Sequence, residues 1–278
     1  MVDEPFISTK LLIIGKTYPN HSVKYRETAC TGAMRYDTFE MLRIYPIPYR
    51  YLEGSDALKP YQVITADIQR DLSDPRPESH KIRFKSIQYE RRLGRAEARE
   101  HLERSPHMCR SVEELRERSR GESISLGIVR PREIVDVWLE PRSETERENW
   151  AQKEFEVTQQ LLLFGEPSKP LDFPEAKFFV SWRCDDSRCT KPHAMSLHQW
   201  GIHELYRKLR LDPEGGEKIR DAMRKHLDMS QRDVYFFLGT FRAIQNNFGL
   251  MDAHDFSKTA QLTLGLSVTD EAPDEWWR

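Results

Sequence analysis

The chain has 278 residues, of which 38% are hydrophobic and 32% charged, enough apolar material for one large domain or two modest ones beneath a heavily charged surface. Its formal net charge of −2 excludes a uniformly basic nucleic-acid binder and leaves only a local basic face. Four cysteines, Cys30, Cys109, Cys184 and Cys189, are too few for a disulfide scaffold of this length and read as thiols of a reducing, cytoplasmic protein.

In chain order, the apolar run 11–14, bounded by Gly15 and Pro19, predicts a buried strand. Residues 41–45 form the next strand, stopped by Pro46 and Pro48. Residues 61–68 alternate apolar and polar side chains, and 81–89 resume as a strand after the proline loop 73–79. Short strands with frequent turns predict a β-rich unit, in the form of a small barrel. From 90 to 120 the composition turns to arginine and glutamate. Ser111 and Glu114 make a capping box, and the segment reads as solvated helix with i,i+4 pairs. Strands are expected at 123–129 and 132–140, a helix over 143–164, and a linker at 166–170. Beyond it come a strand at 177–182, helices at about 197–210 and 217–227, and a hairpin of 234–239 with 247–251. No apolar run approaches a membrane span, and the N-terminus lacks the pattern of a signal peptide.

The fold class expected is therefore α+β in three parts. A β-rich domain, residues 1–142, carries a charged helical insert at 90–120. A helix and linker follow at 143–170, and an α/β domain at 171–278 holds a cluster of cysteines and histidines. Cys184, Cys189, His193 and His198 stand in the spacing Cys-x4-Cys-x3-His-x4-His, close to a zinc knuckle but matching no standard finger. They read either as structural zinc ligands or as half-buried thiols beside surface histidines.

Several stretches together resemble a family of uncharacterised prokaryotic proteins associated with phage-defence and mobile-element neighbourhoods. They are Gly15-Lys16-Thr17-Tyr18-Pro19, then 24–31, Arg43-Ile44-Tyr45-Pro46-Ile47-Pro48, Arg76-Pro77-Glu78-Ser79-His80, the block from Cys184 to Tyr206, and Phe236-Phe237-Leu238-Gly239. The resemblance covers most of the chain and implies a bacterial or archaeal origin. Relatives carry acids flanking the tryptophan where this chain has Gln199 and Gly201 around Trp200.

Three functions compete. Lys16, Tyr18, Lys24, Arg43, Tyr45, Arg50 and Arg76 interleave cations with rings, as a binder of single-stranded nucleic acid or a nucleotide requires; they equally suit a barrel rim. Glu78 and His80 in a proline-fixed loop, or Asp252 with Asp255, are candidates for the acid–base or metal chemistry of a nuclease-like or nucleotide-hydrolysing enzyme. Alternatively, 90–120 and the tail ending Trp276-Trp277-Arg278 dock a protein partner of a defence complex.

Overall fold

The computed structural model describes residues 4–22, 26–51, 58–163, 170–242 and 244–258. The expected 166–170 linker (apart from Pro170), Lys24 and the C-terminal tryptophans lie outside the described residues. Among those described, no helix is long and apolar enough to cross a membrane, and all four cysteines are free.

The N-terminal half is a barrel. β1 (Ile7–Lys16) pairs along its C-terminal half with β4 (Thr31–Arg35) and along its N-terminal half with β6 (Gln62–Arg70). A bulge between Ile13 and Gly15 lets one strand serve both neighbours. β5 (Met41–Tyr45) and β7 (Ser79–Ile82) complete the circuit β1-β4-β5-β7-β6-β1, in which only β5 and β7 run parallel. β8 (Gln88–Arg92) extends β6 as an edge strand, and the short β2 (Asn20–Ser22) and β3 (Arg26–Thr28) pair in the β1–β4 connection.

The second half is a seven-stranded sheet in the order β11-β12-β13-β15-β14-β10-β9. Its strands are β9 (Met108–Cys109), β10 (Leu126–Val129), β11 (Pro131–Pro141), β12 (Ala176–Cys184), β13 (His193–Leu197), β14 (Arg232–Phe241) and β15 (Ile244–Ser257). The change of sheet thus falls near residue 108, so β10 and β11 do not belong with the barrel as the 142/143 boundary implied. β13 was not anticipated: Gln199 bridges to Thr17, so α4 (Trp200–Leu209) starts three residues later than expected. Helices α1 (Arg95–Glu103), α2 (Val112–Glu122), α3 (Glu144–Leu163) and α5 (Gly215–His226) fall where charge and spacing placed them.

Strand alternation sorts the apolar residues into three cores. Leu11 and Ile13 point into the barrel, whereas Leu12 and Ile14 point out onto Tyr235, Phe237 and Met251 of the second sheet. A strand buried on both faces has no polar side, which is why 11–14 is unbroken hydrophobe. At this interface a Cβ on Gly32 would lie 2.2 Å from the Phe237 ring, so only glycine admits the approach. On its far face the second sheet places Phe178, Val180, Trp182 and Phe236 against Ile202, Ile219 and Met223 of α4 and α5. The charged insert is the paired helical face expected: Arg99–Glu103, Arg110–Glu114 and Arg118–Glu122 bridge at i,i+4, and Ser111 Oγ accepts the Glu114 N–H at 3.0 Å.

Candidate functional site

Two places gather chemistry. The first is the cysteine–histidine cluster at the end of the β12–β13 hairpin. The ligand atoms of Cys184, Cys189 and His193 all lie within 4.8 Å of one another, so the three can hold a metal ion. Cys184 continues the buried alternation of Phe178, Val180 and Trp182 on β12, and the hairpin turn returns Cys189 and His193 onto it. Amides are aimed at both sulfurs: Val112 N–H donates to Cys184 Sγ and Cys184 N–H to Cys189 Sγ, each at 3.3 Å. Such donors favour thiolates, as does the N-terminal end of α2 that supplies one of them. Burial, reinforced by Glu113 and Cys189, nonetheless pushes the metal-free Cys184 thiol up to about 12, so metal binding must displace a firmly held proton. His198 does not join the group. It sits two residues past a hydrogen bond to Ser196 (2.8 Å), against the Phe241 ring, in the second place.

That second place is a cleft of about 370 Å³ where barrel, second sheet and α3 meet. The β1–β4 connection contributes Thr17, Tyr18, Asn20 and Cys30, and the β6–β7 loop contributes Arg76. Arg142, Trp150 and Lys153 enter from α3 and its start, and His198, Thr240, Phe241 and Arg242 from the second sheet. α3 is held over the opening by His21, whose Nε2 lies 2.6 Å from Glu154 Oε2 and whose ring meets Trp150 edge-on. Among the described residues, four cations line the cleft against one carboxylate, Glu146. Arg76 is pinned by Asp74 and donates to Thr240 O at 2.9 Å, and Arg142 pairs with Glu146 at 2.8 Å. Lys153 and Arg242 have no carboxylate partner among the described residues, and Arg142 Nε is buried without an acceptor. Tyr18, Trp150, Phe173 and Phe241 supply the rings.

The back wall is neutral imidazole. His203 packs tilted against Tyr18 and edge-on against Phe178, with centroids 4.9 and 5.0 Å away, and burial lowers it from 6.5 to about 3, while burial and Arg142 lower His198 to about 4. Below pH 6.5 the unfolded chain takes up protons that these rings refuse, so stability is expected to fall as pH drops from about 6.5 towards 4. His203→Phe should flatten that fall by about 1.4 kcal/mol per pH unit, read as urea midpoints across the window. An unchanged slope would mean the folded ring titrates normally.

Of the described residues expected to contact nucleic acid, Tyr18 and Arg76 line the cleft and the others do not. Lys16 is wedged between barrel and α4, its ammonium 4.2 Å from the Tyr49 centroid and 4.3 Å from that of Trp200, and burial lowers it to about 8. Arg43 is 1% exposed and bonds to Ser125 and Thr240. Tyr45 donates to Asp71, and Arg50 pairs with Glu27 at 3.0 Å and donates to Pro170 O. These cations and rings are spent on internal partners.

The enzymatic candidates are likewise internal and separate. Glu78 accepts from Ser125 N–H and Oγ–H at 2.6 and 2.5 Å, and His80 donates from Nδ1 to Glu78 O. Asp252 is sealed behind Gly15, where burial raises its carboxyl well above 3.8. Asp255, three residues along β15, faces Arg95, Arg232 and His226; burial works to raise it, and these partners outweigh that and keep it below the ordinary range. No two of these pairs share a site that a substrate reaches.

The cleft escaped the sequence because many short stretches, spread from Thr17 to Met251, build it, with Arg142, Trp150, Lys153 and Arg242 each unremarkable where it stands in the chain. No curated protein matches the sequence. A model for a domain of unknown function (DUF8758) matches residues 7–109, the barrel with β8, α1 and β9. A second model matches residues 107–262, the span of the seven-stranded sheet, and the chain therefore belongs to the family described as domain of unknown function (DUF8757).

Proposed function

We propose that the protein binds nucleotide units, free or within a single-stranded nucleic acid, in the cleft beneath α3. The observation that carries this is the lining: among the described residues, four cations against one carboxylate, interleaved with four aromatic rings. Cations follow phosphate and rings stack on bases whatever their sequence. A volume of about 370 Å³ lies at the small end of ligand clefts, with room for a base and its phosphate rather than a duplex.

The barrel's connectivity supports the same reading. Counting barrel strands alone, the order is first, second, third, fifth, fourth, with the third and fifth parallel, an order that suits our reading of it as an OB-type barrel. Barrels of that type take oligonucleotides with the loops joining strands one to two and four to five. Here those are the loops that bring Thr17, Tyr18, Asn20 and Arg76 to the cleft. The outer face of the second and third strands, the other usual contact surface, is covered by the second sheet at Gly32 and Arg43, which confines binding to the loop end. A binder of this kind fits the defence setting suggested by the sequence resemblance.

We read the Cys184, Cys189 and His193 cluster as a structural zinc centre, because thiolate and imidazole in one buried group suit tetrahedral zinc.

Fluorescence anisotropy with single- and double-stranded DNA and RNA, and with labelled mononucleotides, tests the cleft. Single strands should bind, with affinity falling steeply as salt rises because counterions are released. The double variant Lys153→Glu, Arg242→Glu should weaken binding at least tenfold, by about 1.4 kcal/mol or more. Absence of binding to every probe at low salt, or full affinity in the double variant, would remove the proposal.

A further inference from the structure

We infer that Glu113, in the first turn of α2, is the fourth ligand of the metal held by Cys184, Cys189 and His193, so that the centre is closed and joins α2 to the β12–β13 hairpin. The inference rests on the zinc reading above.

Glu113 Oε1 lies 3.3 Å from His193 Nε2, and the same nitrogen lies 3.3 Å from Cys189 Sγ. One imidazole nitrogen carries at most one proton and cannot donate along both directions at once. A charge-assisted hydrogen bond to a carboxylate would also close to about 2.7–2.9 Å. Ligands bound at about 2.0–2.3 Å to a tetrahedral zinc stand about 3.3–3.8 Å apart, which is the spacing seen on both sides of the imidazole. The other carboxylate oxygen, Oε2, is buried with no hydrogen-bond partner, an expense that coordination would remove. Glu113 is not within 4.8 Å of all three other ligand atoms, so it closes the centre by a rotation of its side chain towards the sulfurs.

The neighbouring acids are occupied elsewhere. Asp186 accepts from Ser111 Oγ at 2.7 Å and pairs with Arg188, and Glu114 accepts the Arg110 N–H at 2.9 Å. Those same contacts seat the first turn of α2 on the hairpin and bring Glu113 to the cluster, together with the Val112 amide on Cys184. Four protein ligands leave no position for a water or substrate, so the centre is structural rather than catalytic.

Zinc affinity of the full chain, measured by competition with a chromogenic chelator, and the absorption of the cobalt(II)-substituted protein test the assignment. The parent should bind one zinc, and its cobalt form should show the intense visible bands of a four-coordinate site with two thiolates. Glu113→Gln should weaken zinc at least tenfold and shift the cobalt bands, whereas Glu114→Gln, one residue along the same helix, should do neither. Circular dichroism of the metal-free variants separates ligand loss from misfolding, and Glu113→Asp, which keeps the charge, should bind between parent and Gln variant. Zinc bound as tightly by Glu113→Gln as by the parent, with identical cobalt spectra, would overturn the role of Glu113 and leave the three-ligand centre standing. A parent that binds no zinc would overturn both.

Discussion

Stripping zinc from the chain, or replacing Cys184 by alanine, is expected to lower the melting temperature by about 10 °C, equivalent to roughly 3–5 kcal/mol for a chain of this size. Zinc-finger peptides owe their whole folding free energy to the metal, but this cluster sits at the border of a large core that includes Trp182, Val180 and Phe178, so the rest of the sheet supports it. The loss should therefore be a fraction of the peptide value and should concentrate in the hairpin end of β12–β13 and the first turn of α2. The informative comparison is calorimetry of parent and Cys184→Ala, each with zinc and with chelator. Alanine alone removes a buried sulfur and destabilises through packing; only a metal makes the parent sensitive to chelator and the variant indifferent. If the parent melts at the same temperature under both conditions, the cluster is a pair of buried thiols beside an imidazole.

That cluster was legible because its ligands lie within ten residues of one another, where spacing carries geometry. Period-two alternation at 61–68 equally announced strand β6, the apolar run 177–182 announced β12, and the capping box at Ser111 announced α2. Local rules act on local residues. The cation-and-ring reading of the barrel carried less geometry, with Tyr18 and Arg76 in the cleft and others of its residues held elsewhere, for a complementary reason. Lys16, Arg43 and Arg50 look like free cations in sequence, and their partners, Trp200, Ser125, Thr240, Glu27 and Pro170, are distant in the chain. Tertiary packing, within the N-terminal half as well as between it and the second sheet, engages them. Glu113 was visible merely as a favourable first-turn acid, since nothing in its neighbourhood shows that a hairpin from the far half of the chain folds over it. His198 shows the converse. It follows His193 at a ligand-like interval, but His193 opens β13 and His198 lies just past its end, where the chain turns towards the bridge to Thr17 and away from the cysteines.

Arg43→Ala is expected to destabilise the chain by about 3–5 kcal/mol, because it strips one partner from a buried ion pair and leaves the other behind. Arg43 leaves β5 and crosses to the second sheet. Its Nη1 donates to Ser125 Oγ at 2.5 Å, and its Nη2 to Ser125 O at 2.6 Å and Thr240 O at 3.3 Å. Glu78, 3.7 Å from the guanidinium, accepts from the Ser125 and Leu126 amides at 2.6 and 3.2 Å. Barrel, β10 and β14 are thus tied by a polar knot, beside other polar contacts such as Tyr61 with His254 at 2.9 Å and Arg76 with Thr240 O. Burial lowers the guanidinium only to about 10, so it stays charged at neutral pH and holds Glu78 as its counter-ion. Alanine would leave that carboxylate in a dry interface without its guanidinium, although Ser125 O still accepts from the Thr240 amide and Thr240 O from Arg76. The double variant Arg43→Met, Glu78→Gln removes both charges at near-constant volume and should cost less than the two single changes added together. Urea unfolding of the four proteins measures this coupling. Arg43→Ala within 1 kcal/mol of the parent, or strict additivity in the cycle, would show that the knot is solvated in solution and that apolar packing of Leu12, Ile14, Phe237 and Met251 alone joins the two halves. Strong coupling would instead make Arg43 the residue that lets barrel and sheet unfold as one unit, which the cleft between them requires if its walls are to hold a fixed distance.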